Sequence, residues 1–290
     1  MAIAVCLCML TFFANIGNGM AEWITGIRPF AENGSRDLTS SAAIVAYRIA
    51  SICSNVGGFL LSSILFSWFC SNSISDYFRI KSPLKWKYLA VIGLCFLLAI
   101  PAIQLLSELN ELISGGAYLM EAQEETSKLR TALLRTDSVA VVVLNVFAMA
   151  LLPAIGEELF FRGVILRVSF QGTKNIHLGV LLSAILFALV HMEFSNFLAI
   201  LFMGVLLGYL YVYTGSLLVP IGLHFLNNCV YIILESSGNG SAFVDKLEAG
   251  SNSIFWLITG AIALLLFAFL LQRSVNKGNW NTAVGYLMRD

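Results

Sequence analysis

Charge is what this chain of 290 residues has little of: only 12% of it is Asp, Glu, Lys or Arg, and 17 basic residues balance 17 acidic ones. A neutral chain gives no electrostatic case for nucleic acid or another polyanion as a partner. Cysteine is sparse as well. Cys6, Cys8, Cys53, Cys70, Cys95 and Cys229 lie in or at the ends of apolar runs without CxxC spacing, so they read as small apolar packing residues rather than a disulfide or zinc framework. The N-terminus lacks a basic stretch ahead of its apolar run, which argues for a first spanning helix over a cleaved secretory signal. No repeat, low-complexity tract or soluble domain stands out.

What the chain does have is apolar surface. It is 58% hydrophobic with a mean hydropathy of +0.83, more than a water-soluble domain could bury, so it is read as an all-α polytopic membrane protein. A helix needs about 20 mainly apolar residues to cross a bilayer. About eight stretches qualify, at 2–19, 43–70, 88–106, 138–166, 178–194, 196–213, 217–235 and 253–272.

Basic residues orient them. Arg79, Lys81, Lys85 and Lys87 follow the second span, Arg162, Arg167 and Lys174 the fourth, and Arg273, Lys277 and Arg289 the last. The positive-inside rule puts these in the cytoplasm, with both termini, and points to the cell membrane. The acidic segment 107–137 then lies outside, where its mixture of leucines and charges suggests interfacial helix. Arg48, near the outer end of the second span, reads as a snorkelling side chain. Gly204 and Gly208 form a GxxxG pair whose plainest use is internal packing, with a dimer interface as the alternative.

Against this background Gly156-Glu157-Glu158-Leu159-Phe160-Phe161-Arg162-Gly163 is costly, because charges inside a spanning segment are disfavoured and mark function by default. Glu158 and Arg162 are four apart and share a helix face, a favourable carboxylate-to-guanidinium order. Glu157 points about 100° away. One carboxylate is thus held by the arginine while the other faces a different surface, and Glu157 becomes the candidate general base. The plainer alternative is an ion cluster locking helices together. Pro153 predicts a kink just ahead of the pair.

Two of the three histidines, His191 and His224, also lie inside apolar helices. Counting about 1.5 Å per residue from the cytoplasmic ends puts Glu157 roughly 15 Å deep, His224 roughly 10 Å, Asn228 roughly 17 Å and His191 roughly 20 Å. All four fit within a core about 30 Å thick. His224 and Asn228 share a face and pair an imidazole with an amide donor, which suits an oxyanion hole. Phe187 is one turn from His191, placed either to wall the cavity or to pack against core or lipid.

Glu157-Glu158-x-x-x-Arg162, Phe187-x-x-x-His191 and His224-x-x-x-Asn228, in that order on successive apolar helices, resemble the CPBP (CAAX protease and bacteriocin-processing, or Abi) family of intramembrane proteases. That family includes the Ras-converting CAAX endoprotease and lysostaphin-resistance-type proteins. The resemblance covers 138–235 as a catalytic core, between helices 1–137 and a last span with a tail, 236–290. It implies an intramembrane polar cavity and an endopeptidase acting on a membrane-associated or lipid-modified peptide, approached from the cytoplasmic side. It further implies that Glu157 and His191 activate a water, that His224 and Asn228 stabilise the oxyanion, and that Glu158 and Arg162 hold the geometry. No cofactor is expected, since no HExxH-type pair anchors a metal; a zinc-dependent version of the same protease is the alternative. A proton-coupled transporter and a non-catalytic scaffold or immunity protein are the competing classes. Oligomeric state is not legible.

Overall fold

The structure is a computed structural model, and it describes residues 2–29, 40–80, 86–113, 128–237, parts of 258–269 and residue 285. Among the described residues there are helices and no strands. The helices are α1 (Ala2–Thr25), α2 (Ser41–Cys70), α3 (Trp86–Ile113), α4 (Val139–Thr173), α5 (Ile176–His191), α6 (Phe197–Thr214), α7 (Leu218–Ser236) and α8 (Ile258–Phe267). Five stretches are long and apolar enough to cross a membrane: α2, α4 and α7, residues Ile92–Asn110 of α3, and Phe194–Thr214 with α6. The count of eight is therefore approximate, because α5 and α8 are shorter than a usual span and α4 runs on to Thr173 instead of ending near 166.

Two of these helices contain wide turns. The stretch Val56–Leu61 in α2 is π-helical, as are Val146–Leu151 and Leu159–Ile165 in α4. Pro153 has no N–H to give the preceding turn, and α4 widens immediately ahead of it, so the expected disturbance takes the form of a π segment. Inside the wide turn of α2, Gly57 and Gly58 admit the side chains of Phe13 and Leu10 from α1, where a Cβ would collide with them.

Short turns bring α4, α5, α6 and α7 together. Asn175 caps α5 by accepting from the amides of His177 and Leu178, and Gly215 ends α6 in the left-handed conformation at φ 62°. The α5–α6 contact is close because Gly204 lies against Ala184 and Gly208 against Val180. That accounts for the GxxxG pair as internal packing. Beneath it an aromatic core gathers Phe59, Phe160, Phe161 and Phe187 with Leu166 and Val180.

The two ends of the bundle differ in chemistry. At one end, which also carries Lys174, Arg79 donates Nε–H to the Gly215 carbonyl at 2.6 Å, and Arg167 donates to the Tyr77 carbonyl at 3.1 Å while lying over the Tyr77 ring. At the other end, residues 128–134 form helix. This part of segment 107–137 is folded onto the bundle: Leu134 is fully buried, and the Leu133 carbonyl accepts from both Arg48 and Asn145. Arg48 is therefore an anchor for that helix and not a snorkelling side chain. Residues 114–127 lie outside the described ones.

A Cβ at Gly204 would sit 3.0 Å from the Ala184 Cα, a backbone atom that cannot swing aside. Gly204→Val is expected to lower stability by about 1–3 kcal/mol, as overpacking does, seen as a lower unfolding midpoint in detergent. Gly93→Ala, at a position with open space, should show no such loss.

Candidate active site

The residues singled out from sequence come together. Glu158 and Arg162 are fully buried, and Arg162 Nη1 donates to Glu158 Oε1 at 2.6 Å. Arg162 Nη2 donates to the Gly204 carbonyl at 3.1 Å, reachable because α6 has no side chain there. The same Glu158 oxygen accepts from His224 Nδ1 at 2.9 Å. One carboxylate oxygen thus ties α4 to itself and to α7.

Glu157 has a different environment. Its side chain keeps 12% exposure while that of Glu158 has none, so only Glu157 faces space. Its Oε2 lies 3.8 Å from His191 Nε2 and 3.9 Å from His224 Nε2, and no group hydrogen-bonds to it directly. At such separations a water bridge is the contact to consider. His191 donates Nδ1–H to the Phe187 carbonyl at 2.7 Å; a carbonyl can only accept, so a neutral His191 presents its Nε2 lone pair toward Glu157.

Phe187 serves three polar groups at once. Its ring centroid is 4.5 Å from that of His191 and 5.8 Å from that of His224, and the Arg162 guanidinium lies over it at 4.5 Å. The cation–π contact compensates in part for Arg162 Nε, which is buried without a hydrogen-bond partner.

Glu157, Phe187, His191 and His224 line a cavity of about 600 Å³ that also reaches Asn228. The Asn228 Oδ1 accepts from Asn227 Nδ2 at 3.4 Å, which leaves its own amide hydrogens as the donors it can offer. Sequence reasoning missed Asn55, Asn227 and Tyr231 in the lining and Arg130 and Glu193 at the rim. Asn227 and Tyr231 lie three and seven residues after His224, on its face, so helical spacing could have found them. Asn55 is a polar residue well inside an apolar span. Arg130 and Glu193 are distant in sequence and carry no local signal.

Arg130 and Glu193 form an ion pair, with the Arg130 guanidinium also over the Tyr231 ring at 5.7 Å. Burial is the largest single influence on Arg130 and opposes its charge, but Glu193, Tyr231 and Glu235 together outweigh it and hold the guanidinium more firmly protonated than usual. As for metals, among the described residues no three His, Cys, Asp or Glu side chains are grouped to hold an ion. Both Nδ1 atoms are committed to hydrogen bonds, and Glu158 to Arg162.

The fold and the site define a helical membrane protein with a buried carboxylate, arginine and histidine cluster of which Glu157, His191 and His224 line an internal cavity. Residues 139–230 match the family described as Type II CAAX prenyl endopeptidase Rce1-like, so the resemblance read from the motifs holds over the part of the chain that carries the site. Two Bacillus subtilis (strain 168) proteins are similar. YdiL, provisionally named a membrane peptidase, is 28% identical over 99 residues, 34% of this chain and 40% of its own. YpbD, an uncharacterized protein, is 30% identical over 91 residues, 30% of this chain and 43% of its own. The chain thus covers about two fifths of each relative's length. No solved structure matches the chain.

Arg162→Met would leave Glu158 buried beside His224 without its cation. Removing one partner of a buried pair typically costs about 3–5 kcal/mol. The variant should unfold at a markedly lower temperature than the unaltered protein in the same detergent, and Glu158→Gln should do likewise.

Proposed function

We propose that the protein is an intramembrane endopeptidase that hydrolyses a peptide bond in a membrane-associated substrate with a water activated by Glu157 and His191. The observation that carries this reading is the Glu157 side chain at the cavity lining, whose buried Oε2 has no hydrogen-bond partner and lies between two histidine Nε2 atoms at 3.8 and 3.9 Å.

The Glu157 carboxylate and the His191 Nε2 lone pair are both acceptors, so a water donating one hydrogen to each would turn an oxygen lone pair toward the cavity. As that oxygen attacks a peptide carbonyl, Glu157 takes the proton, which later passes to the departing amine. The tetrahedral oxyanion needs donors, and the candidates are His224 Nε2–H and an Asn228 amide hydrogen. Glu158 holds His224 at Nδ1, which leaves Nε2 as the nitrogen on the side of Glu157. Glu158 and Arg162 act by holding His224, and Phe187 by packing both imidazoles.

This reading uses no cofactor. The proposed partners are the lipid bilayer and a peptide or membrane-protein substrate. A metal-dependent version would draw its ligands from His191, His224 and Glu157, a set of the type that holds catalytic zinc, although among the described residues no three such side chains are grouped to hold an ion.

The test is cleavage of a peptide library by the purified protein in detergent, with and without a strong chelator. Glu157→Gln should lose about 10²–10⁴-fold in rate, and Asn228→Ala about 10²–10³-fold, with unfolding midpoints unchanged and no effect of chelator. Full cleavage by Glu157→Gln would overturn the assignment of the base, and loss of cleavage on chelation would establish the metal-dependent form.

A further inference from the structure

One polar group in the cavity wall has no part in the mechanism and its acceptor has no partner in the protein. Asn55 comes from α2, outside the stretch 139–230 that matches the family, and it lines the cavity together with Ser51 one turn earlier. The Asn55 Nδ2 donates to the Ser51 carbonyl at 3.1 Å, and because a carbonyl can only accept, this bond sets which end of the amide is which. Oδ1 is the other end, buried and without a hydrogen-bond partner. An amide acceptor taken out of water and left unmatched costs free energy, a cost that an apolar side chain at this point of a spanning helix would not carry.

Packing holds Asn55 beside the Glu157 turn of α4. Gly156, the residue before Glu157, lies so close to α2 that a Cβ there would come within 3.3 Å of the Phe59 Cβ and 3.7 Å of the Asn55 carbonyl oxygen. The wide turn Val56–Leu61 starts at the next residue of α2, and wide turns of this kind occur frequently at functional sites. Glu157 Oε2 and Asn55 Oδ1 are both acceptors without a hydrogen-bond partner, and both residues line the same cavity. This part of the wall therefore suits a ligand that brings hydrogen-bond donors.

On the proteolytic reading, we infer that Asn55 is a substrate-binding residue whose Oδ1 accepts a main-chain N–H of the peptide held for cleavage. That N–H is the donor a peptide offers at every residue except proline, whatever its side chains. The last torsion of an asparagine side chain is soft, so Oδ1 can turn to meet it. Main-chain bonds of this kind give affinity, while side-chain pockets give specificity. Asn55 thus sets the register of the peptide against Glu157 and takes no part in bond making, and the substrate position it holds excludes proline.

The test uses the library peptide that the unaltered protein cleaves best, with a set of analogues each N-methylated at one main-chain nitrogen. Asn55→Leu should raise KM about three- to tenfold with kcat little changed, and one analogue should show a matching rise with the unaltered protein. With Asn55→Leu that analogue should show no further rise, a coupling that a merely structural role would not produce. Equal N-methylation losses in the two proteins at every position would overturn the inference, as would unaltered kinetics in Asn55→Leu. In detergent the unfolding midpoint of Asn55→Leu should equal or exceed that of the unaltered protein, because a buried acceptor without a partner is removed. A lower midpoint would make Asn55 a structural residue and overturn the inference without any cleavage measurement. Full cleavage by Glu157→Gln would overturn the proteolytic mechanism alone, since the coupling between Asn55 and the N-methylated position would persist.

Discussion

The buried bond between Glu158 and Arg162 is the interaction on which the rest of the site depends. Two opposite charges without solvent exposure are tolerable only if each also meets its remaining hydrogen-bonding needs nearby. Arg162 does so in part through the Gly204 carbonyl and the Phe187 ring, and Glu158 in part through His224, while Arg162 Nε and Glu158 Oε2 stay buried without a hydrogen-bond partner. Those partners sit on α6, α5 and α7. A pair within one helix therefore fixes the positions of three others, and α6 can approach only because Gly204 and Gly208 carry no side chains.

The pair also separates the two glutamates chemically. Adjacent residues on a helix point about 100° apart, so the cation that satisfies Glu158 does not reach Glu157 in the same way. Glu157 remains at the edge of the cavity between two imidazoles, while its neighbour is locked into the packing. The π segment that begins at Leu159 follows directly. Wide turns inside α-helices occur frequently at functional sites, and here one lies between the carboxylates and the rest of α4.

Burial and openness are divided along the bundle axis. The end held by Arg79, Arg167 and Gly215 is closed by hydrogen bonds from guanidinium groups to main-chain carbonyls. At the other end helix 128–134 is anchored by Leu134 and by the bonds from Arg48 and Asn145, yet Arg130 and Glu193 keep a charged rim.

Helical periodicity and the expense of intramembrane charge were enough to identify an all-α membrane protein and to group Glu157, Glu158, Arg162, Phe187, His191, His224 and Asn228. Both are local properties: spacing along one helix sets which side chains share a face, and hydropathy sets where a charge is out of place. Tertiary structure decided everything that depends on which helix lies opposite. It chose His224, and not His191, as the partner of Glu158, and it turned Arg48 onto Leu133. It also joined Arg130 to Glu193. No residue spacing within one helix encodes those choices, because they arise from the packing of residues far apart in the chain.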